Sequence, residues 1–409
     1  MNTLPDRPQG LVAADAERSA AATDASRALV PRVVLLEAGP VSAALGEAVR
    51  SVVAAAGVDV AWQIEPAGAL GVDRFGSPLP DATVAAIGDA GLCLKTLLRT
   101  PTGGGYESPN VQLRKRLGIF AGVRAIRNLD GVKSRYQGVD VLLVRELTEE
   151  IYSGIEHEVV PGVVQTIKVL TRNKSERVIR FAFELARRRG RKRLTLVHKA
   201  NIMKRSDGLF RAIGREIASD FPDIAFDDVI ADNAAMQLVV RPERFDVLVA
   251  GNLFGDILAD VGAGLVGGSA LVTSHNSGLL PADGRPVEVF EATHHVGLAV
   301  DTDGEPAASP LALLLPALDL LRHLGATEAA TRIGLAITAV LRDRAATTPD
   351  HGGRASTRAM AAAIVAALPR LHQGVDAGKG RLRPTQIRAL IDHRGDFGRA
   401  PDQDLGLGR

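Results

Sequence analysis

The chain has one cysteine, Cys93, among its 409 residues. No internal disulfide can form, and a reducing, cytoplasmic setting is the expectation. Cys93 lies in the apolar run Ala90-Gly-Leu-Cys-Leu94, which suits a buried structural thiol better than a nucleophile. An excess of one charge is also missing. Lys and Arg number 49 against 47 Asp and Glu, leaving +2, so nothing marks a nucleic-acid or membrane-surface partner. No apolar run reaches the roughly 20 residues of a membrane span. Asp6, Asp15, Glu17 and Asp24 argue against a transit peptide, and no segment repeats. Aromatics make up only 4%, but hydrophobic residues at 46% and charged residues at 23% give an ordinary globular composition with room for two domains.

Strands and helices alternate along the chain. Val33–Leu36, Val58–Trp62, Val139–Val144, Leu194–Val197 and Phe245–Val249 read as strands. Helical periodicity covers Ala43–Ala56, Lys174–Arg189, Asp207–Ala218 and Pro310–Leu324. The pattern is that of an α/β protein, in which ligands collect where loops leave strand ends. Residues 1–31 lack an apolar period and read as a disordered tail, and 373–409, polar and rich in Gly and Arg, read as a polar C-terminal tail.

The stretch Asn252-Leu-Phe-Gly-Asp256-Ile-Leu-Ala-Asp260 sits in an apolar run and spaces two carboxylates four apart. On a helix they share a face and repel unless a cation lies between them. Oxygen ligands on a rigid element suit Mg2+ or Mn2+. The alternative is that Asp256 caps a helix start and Asp260 faces water. Asp232, in Ile230-Ala-Asp-Asn233, is a candidate third acid. Arg114, Arg124 and Arg145 stand at the edges of apolar segments and can hold carboxylates through paired N–H groups, although exposed arginine is the commoner case. Tyr152 follows a strand close to Arg145, a setting in which a lowered pKa would let it donate a proton; a tyrosine capping a core is the plainer reading. Lys199, beyond the strand ending near Val197, can act as a base near carboxylates and a metal, or be a solvated charge.

Together these stretches resemble the β-decarboxylating dehydrogenases that act on isocitrate, isopropylmalate, homoisocitrate and tartrate. The resemblance runs from about Arg32 to about Leu368 and rests on three motifs. These are Asn252–Asp260, Tyr152-Ser-Gly-Ile-Glu-His-Glu-Val-Val160, and His198-Lys-Ala-Asn-Ile-Met-Lys204 with Ser206-Asp-Gly-Leu-Phe210. The last two look especially like NAD-dependent isocitrate dehydrogenase subunits. The resemblance implies two α/β domains around a cleft with a non-classical dinucleotide site. The larger would span 32–125 and 290–372, and the smaller, dimerising one 126–289. It implies that Asp256 and Asp260 hold Mg2+ or Mn2+, with Asp232 and Lys199 entering from the partner of a homodimer with shared sites. Lys199 would help deprotonate the substrate hydroxyl and Tyr152 would protonate the enol. Arg114, Arg124 and Arg145 would clamp a small hydroxy polyacid. Lys95, Thr100, Asn201, His294, Asp301 and Ser309 would meet the dinucleotide.

In such enzymes a short helix reads the arm at C3. Ser108-Pro-Asn110 is the polar form expected for isocitrate, whereas Arg145-Glu-Leu-Thr148 with Ile151 looks more like isopropylmalate dehydrogenase. Glu149 and Glu150 stand where many relatives carry one or two glycines. An acid at Asp301 would accept the ribose hydroxyls of NAD and repel the 2′-phosphate of NADP. The turn Glu37-Ala-Gly-Pro-Val-Ser-Ala-Ala44 has lost nearly all the family's glycines, and the adenosine loop His294–Gly304 is rebuilt. The expectation is oxidative decarboxylation of isocitrate or a specialised analogue, for example one bearing a phosphonate. The alternatives are a regulatory isocitrate-binding subunit or an isopropylmalate or homoisocitrate enzyme.

Overall fold

Val33–Leu36 is apolar at every position, the mark of a strand covered on both faces, and all four residues are fully buried. The computed structural model describes residues 30–96, 98, 99, 106, 108–292 and 304–376. The strands are β1 (Arg32–Glu37), β2 (Ala61–Pro66), β3 (Leu92–Lys95), β4 (Ile119–Arg127), β5 (Asp140–Glu146), β6 (Glu156–Val160), β7 (Val163–Thr166), β8 (Arg193–His198), β9 (Ala225–Ile230), β10 (Val247–Ala250), β11 (Thr273–Leu279) and β12 (Pro286–Ala292). The helices are α1 (Pro40–Ala55), α2 (Gly68–Phe75), α3 (Asp81–Ala90), α4 (Pro109–Arg116), α5 (Arg172–Arg188), α6 (Ser206–Ala218), α7 (Ala231–Val240), α8 (Asn252–Val266), α9 (Leu311–His323), α10 (Thr327–Asp343) and α11 (Thr357–Asp376).

Ten strands form one sheet in the order β2-β1-β3-β12-β11-β4-β5-β10-β8-β9, and β6 and β7 form a separate hairpin. The runs β2-β1-β3-β12 and β5-β10-β8-β9 are parallel within themselves. Three antiparallel steps join them, so the two runs point in opposite directions. Each half is covered on both faces. In the first, Val33 and Leu35 face α1, α9, α10 and α11, while Val34 and Leu36 pack with residues of α3 and α4. In the second, α5 and α6 cover one face and α7 and α8 the other. This three-layer build is the α/β architecture expected from the alternation of elements.

Most expected elements fall within a few residues of those observed. The strand expected at Val58–Trp62 lies instead at Ala61–Pro66. Its register is set by pairing with β1, where Ala61 stands opposite Arg32, and earlier residues have no strand beside them. The expected domain limits at 125/126 and 289/290 fall inside β4 and β12, within the continuous ten-stranded sheet. The C-terminal helix runs to Asp376, past the expected limit at 372. The tail expectations otherwise concern 1–29 and 377–409, outside the described residues. In the glycine-poor turn, the Ser42 hydroxyl accepts the N–H groups of Ala38 (2.6 Å) and Gly39 (3.1 Å) and donates to Gly39 O (2.8 Å), closing the entry to α1 with a side chain.

Candidate active site

The opening of α8 follows β10 directly and lies beside the end of β5, because β10 pairs with β5 in parallel. Gly255 permits that approach, since a Cβ there would come within 2.7 Å of Arg145 Cγ. Arg145 is 3% exposed. Its Nε and Nη2 donate to Asn252 Oδ1 at 3.0 and 2.7 Å, and its Nη1 donates to the Asp256 carboxylate. Asn252 Nδ2 donates in turn to Glu149 O (3.1 Å). The Tyr152 hydroxyl donates to the other oxygen of Asp256 at 2.5 Å, and the Arg145 guanidinium lies 5.1 Å from the Tyr152 ring centre. Arg145, Asp256 and Tyr152 are therefore one unit. Asp256 is inside α8, one turn after its start, so the helix-cap alternative does not hold for it. Asp260 is exposed one turn further along the same face.

The Tyr152 phenol is raised, not lowered as the neighbouring arginine suggested. Burial raises it, the bond to Asp256 raises it further, and Arg145 opposes them without prevailing. Tyr152 therefore holds its proton at neutral pH, the state a proton donor requires.

A second set lies across the sheet. Lys95, Glu291, Ser274 and Arg124 are successive cross-strand partners on β3, β12, β11 and β4, so they share one face. Lys95 Nζ, 1% exposed, pairs with Glu291 at 2.6 Å and donates to Asn110 Oδ1 at 2.9 Å. Asn110 Nδ2 donates to Leu98 O (2.7 Å), so both ends of this amide are engaged in the wall. Arg124 Nη1 is buried without a hydrogen-bond partner, 3.9 Å from Glu291. Burial pushes Arg124 down to about 10; Glu291 opposes this, while Arg145 and Arg114 add to it. The three arginines are thus near enough to feel one another, and an orphaned guanidinium nitrogen among them fits an anionic ligand. Burial alone would raise Glu291, but Lys95 and Arg124 hold it well below the usual carboxylate range. Its contribution to stability is complete above the ordinary glutamate pKa and is lost as acid takes the pH down through the depressed native one. Glu291→Gln is therefore expected to flatten the loss of stability below about pH 4.5, measured by urea unfolding across the acid range.

Lys199 and Asp232 form a separate group. Lys199 follows β8, Asp232 opens α7, and Nζ donates to Oδ1 at 2.7 Å. That bond holds Asp232 below the usual carboxylate range. Among the described residues no three His, Cys, Asp or Glu come together as a metal cluster, so one chain does not bring Asp232 to Asp256 and Asp260. Asn201 is exposed in the turn after Lys199. Ser309 is buried, its hydroxyl 2.9 Å from His351 Nε2 and its N–H donating to Asp350 (3.1 Å). Ser108 precedes α4 at its N-cap. Thr100, His294 and Asp301 lie outside the described residues. Cys93 is fully buried and its thiol is pushed up to about 12, in keeping with an inert role. Asn252 opens the marked stretch Asn252–Asp260 and Glu291 lies three residues before the loop His294–Gly304, yet neither was expected as a partner of the arginines.

Comparison with known proteins gives this geometry a context. The isocitrate/isopropylmalate dehydrogenase family matches residues 38–364. The chain is 41% identical over 336 residues to the mitochondrial NAD isocitrate dehydrogenase subunit 1 of Ajellomyces capsulatus, covering 81% of this chain and 84% of the relative. It is 43% identical over 290 residues to the mitochondrial NAD isocitrate dehydrogenase regulatory subunit 2 of Arabidopsis thaliana, covering 71% and 78%. The crystal structure of isocitrate dehydrogenase from Methylococcus capsulatus superimposes with a TM-score of 0.74 at 42% identity, covering 82% of this chain and 99% of that one. With the family match over most of its length and relatives of about 41% identity, the chain belongs to the isocitrate/isopropylmalate dehydrogenase family.

Proposed function

We propose that this protein catalyses metal- and NAD-dependent oxidative decarboxylation of isocitrate or a close 3-substituted malate. The Arg145–Asp256–Tyr152 unit carries this reading, because it puts a carboxylate-binding cation, a metal-binding acid and a protonated phenol within bonding reach of one another. Asp256 and Asp260 are hard oxygen donors on one helix face and fit Mg2+ or Mn2+, with the partner's Asp232 as third ligand. When bound, such a cation would supply Lewis-acid polarisation of the substrate oxygen at C2, and NAD would supply the hydride acceptor. Arg114, Arg124 and Arg145 orient the carboxylates. The partner's Lys199 takes the hydroxyl proton, and Tyr152 returns a proton to C3 after CO2 leaves.

The homodimer belongs to this proposal, since a single chain separates the Lys199–Asp232 half from the Tyr152–Asp256 half. Two exposed apolar surfaces support a second copy as the occupant: Val159, Val160, Val163 and Val164 on the β6–β7 hairpin, and Met236, Val240 and Ile257 on α7 and α8. Among the described residues no helix is long and apolar enough to cross a membrane. The compartment proposed is cytoplasmic, although the relatives above are named as mitochondrial.

An acidic arm at C3 is favoured over an isopropyl group, because the buried Arg124 Nη1 without a hydrogen-bond partner and the nearby Arg145 and Arg114 suit an anion. A phosphonate in that position also suits the arginine set. A regulatory role is the second reading, favoured by the likeness to a regulatory subunit. The test is a panel of 3-substituted malates with Mg2+ or Mn2+, read as reduced cofactor. NADH from isocitrate or a close analogue is expected, and none from any panel member would leave the regulatory reading in place. NAD is expected to exceed NADP in kcat/KM by at least about tenfold, from repulsion of the 2′-phosphate; equal values would remove the NAD assignment.

A further inference from the structure

Glu150 is one of two non-glycine residues with positive φ among those described, at 70°, and it is 2% exposed. Such a backbone is costly for glutamate and persists only where its surroundings over-determine it. Its N–H donates to Val169 O at 2.9 Å. Its Oε2 accepts the Leu253 N–H at 2.9 Å in the first turn of α8. Gly251 leaves the room, since a side chain there would collide with the Glu150 carboxylate. The other oxygen pairs with Lys168 Nζ at 3.1 Å. Lys168 continues the line: Nζ donates to Asp207 Oδ1 at 2.6 Å and lies 5.3 Å from the centre of the Phe254 ring on α8. Asp207 Oδ2 accepts the Lys199 N–H at 2.6 Å. Asp207 belongs to the Ser206–Phe210 motif, to which the proposed chemistry gives no role.

We propose that Glu150 and Lys168 are positioning residues that tie the Tyr152–Asp256 half-site a protomer uses itself to the Lys199 half-site it lends its partner, through the bridge from Glu150 to Lys168 to Asp207 to the Lys199 amide. Tyr152 lies two residues after Glu150, and Asp256 lies one helical turn after Leu253, so the carboxylate of Glu150 sets both. The bridge is nearly fully buried, with Glu150 and Asp207 side chains 3% and 4% exposed and Lys168 17%. Low dielectric makes each link stiff and leaves any unpaired member costly. A displacement at one half-site is therefore passed to the neighbouring active site. The inference rests on the dehydrogenase reading above, with Lys199 acting across the dimer.

The test uses the full chain with isocitrate, Mn2+ and NAD. Glu150→Gly removes the carboxylate and relieves the positive φ, and Lys168→Met removes the bridging charge. Each is expected to lower kcat about 10- to 100-fold, the usual range for groups that orient ligands, with the KM for isocitrate changed by less than about twofold. The double variant is expected to be no slower than the slower single one, and Lys168→Arg, which preserves the bridge, to keep most of the rate. Wild-type kcat in Glu150→Gly, losses that multiply in the double variant, or a change confined to KM would overturn the bridge. If Lys168→Met does not fold, Glu150→Gly and Lys168→Arg decide. Amide hydrogen exchange provides a reading independent of turnover: Glu150→Gly should speed exchange over residues 199–207, and unchanged exchange there overturns the bridge. Absence of NADH from wild-type protein would strike at the dehydrogenase reading, while the exchange result would still stand for or against the bridge.

Discussion

Asp256→Asn is expected to lower turnover about 10³-fold, comparable to or beyond the loss of a single transition-state donor elsewhere. The carboxylate has three tasks. It is a metal donor, it accepts the Tyr152 hydroxyl, and it faces Arg145 Nη1. An amide of the same shape supplies one acceptor instead of two and carries no charge, so it weakens the cation and must turn an N–H toward either the phenol or the guanidinium. The Asp256 side chain is 44% exposed, so the fold should survive and thermal unfolding should stay near wild type. A second reading comes from the phenol. Asp256 raises Tyr152, so the substitution should let Tyr152 ionise at lower pH than in the parent. With only three tyrosines and one tryptophan in the chain, spectrophotometric titration can resolve the change. Parental turnover in Asp256→Asn would take this residue out of the metal site.

The second large effect is restoration rather than loss. Tyr152→Phe and Lys199→Met are each expected to be nearly inactive as pure dimers. Mixed one to one and allowed to exchange subunits, they should recover about one quarter of wild-type activity, since half the dimers of a two-fold assembly are hybrid and each hybrid has one intact site. The recovery follows from which residues share a chain. Tyr152 donates to Asp256 of its own chain, whereas Lys199 Nζ donates to Asp232. An all-in-one-chain site would give hybrids with no complete site and no recovery. The mixture therefore separates a shared site from a self-contained one more directly than either single variant.

Much of this was legible before the fold was known, and the reason is physical. The i, i+4 spacing of Asp256 and Asp260 is local, and so are the uniform apolar runs that became β1 and β10. Local period determines local element. The strand near Val58 was misplaced because its limits are imposed by β1, a partner beyond its own residues. Tyr152 was misjudged because proximity to Arg145 along the chain is visible, while its bond to Asp256 spans 104 positions. Glu149 and Glu150 stood out only as departures from glycine. Nothing near them in the chain says that one carboxylate will cap a helix 103 residues on while the other takes the N–H and hydroxyl of Thr171. Asn110 was read as a substrate reader, and its engagement by Lys95 and Leu98 O could not be inferred from the Ser108–Asn110 spacing.

The continuity of the ten-stranded sheet through β11 and β4 bears on how its two parallel runs can move relative to one another. Each run is sewn to the other by ladders such as Thr273–Ala125 to Gly278–Ile119 and Ala121–Glu146 to Arg127–Asp140. A rotation of one run must be absorbed as extra twist shared over those strands, the way a leaf spring bends without a pivot. Its restoring force would grow with angle, so small changes in β11 are expected to alter the angle between the two runs without touching Arg145, Tyr152 or Asp256.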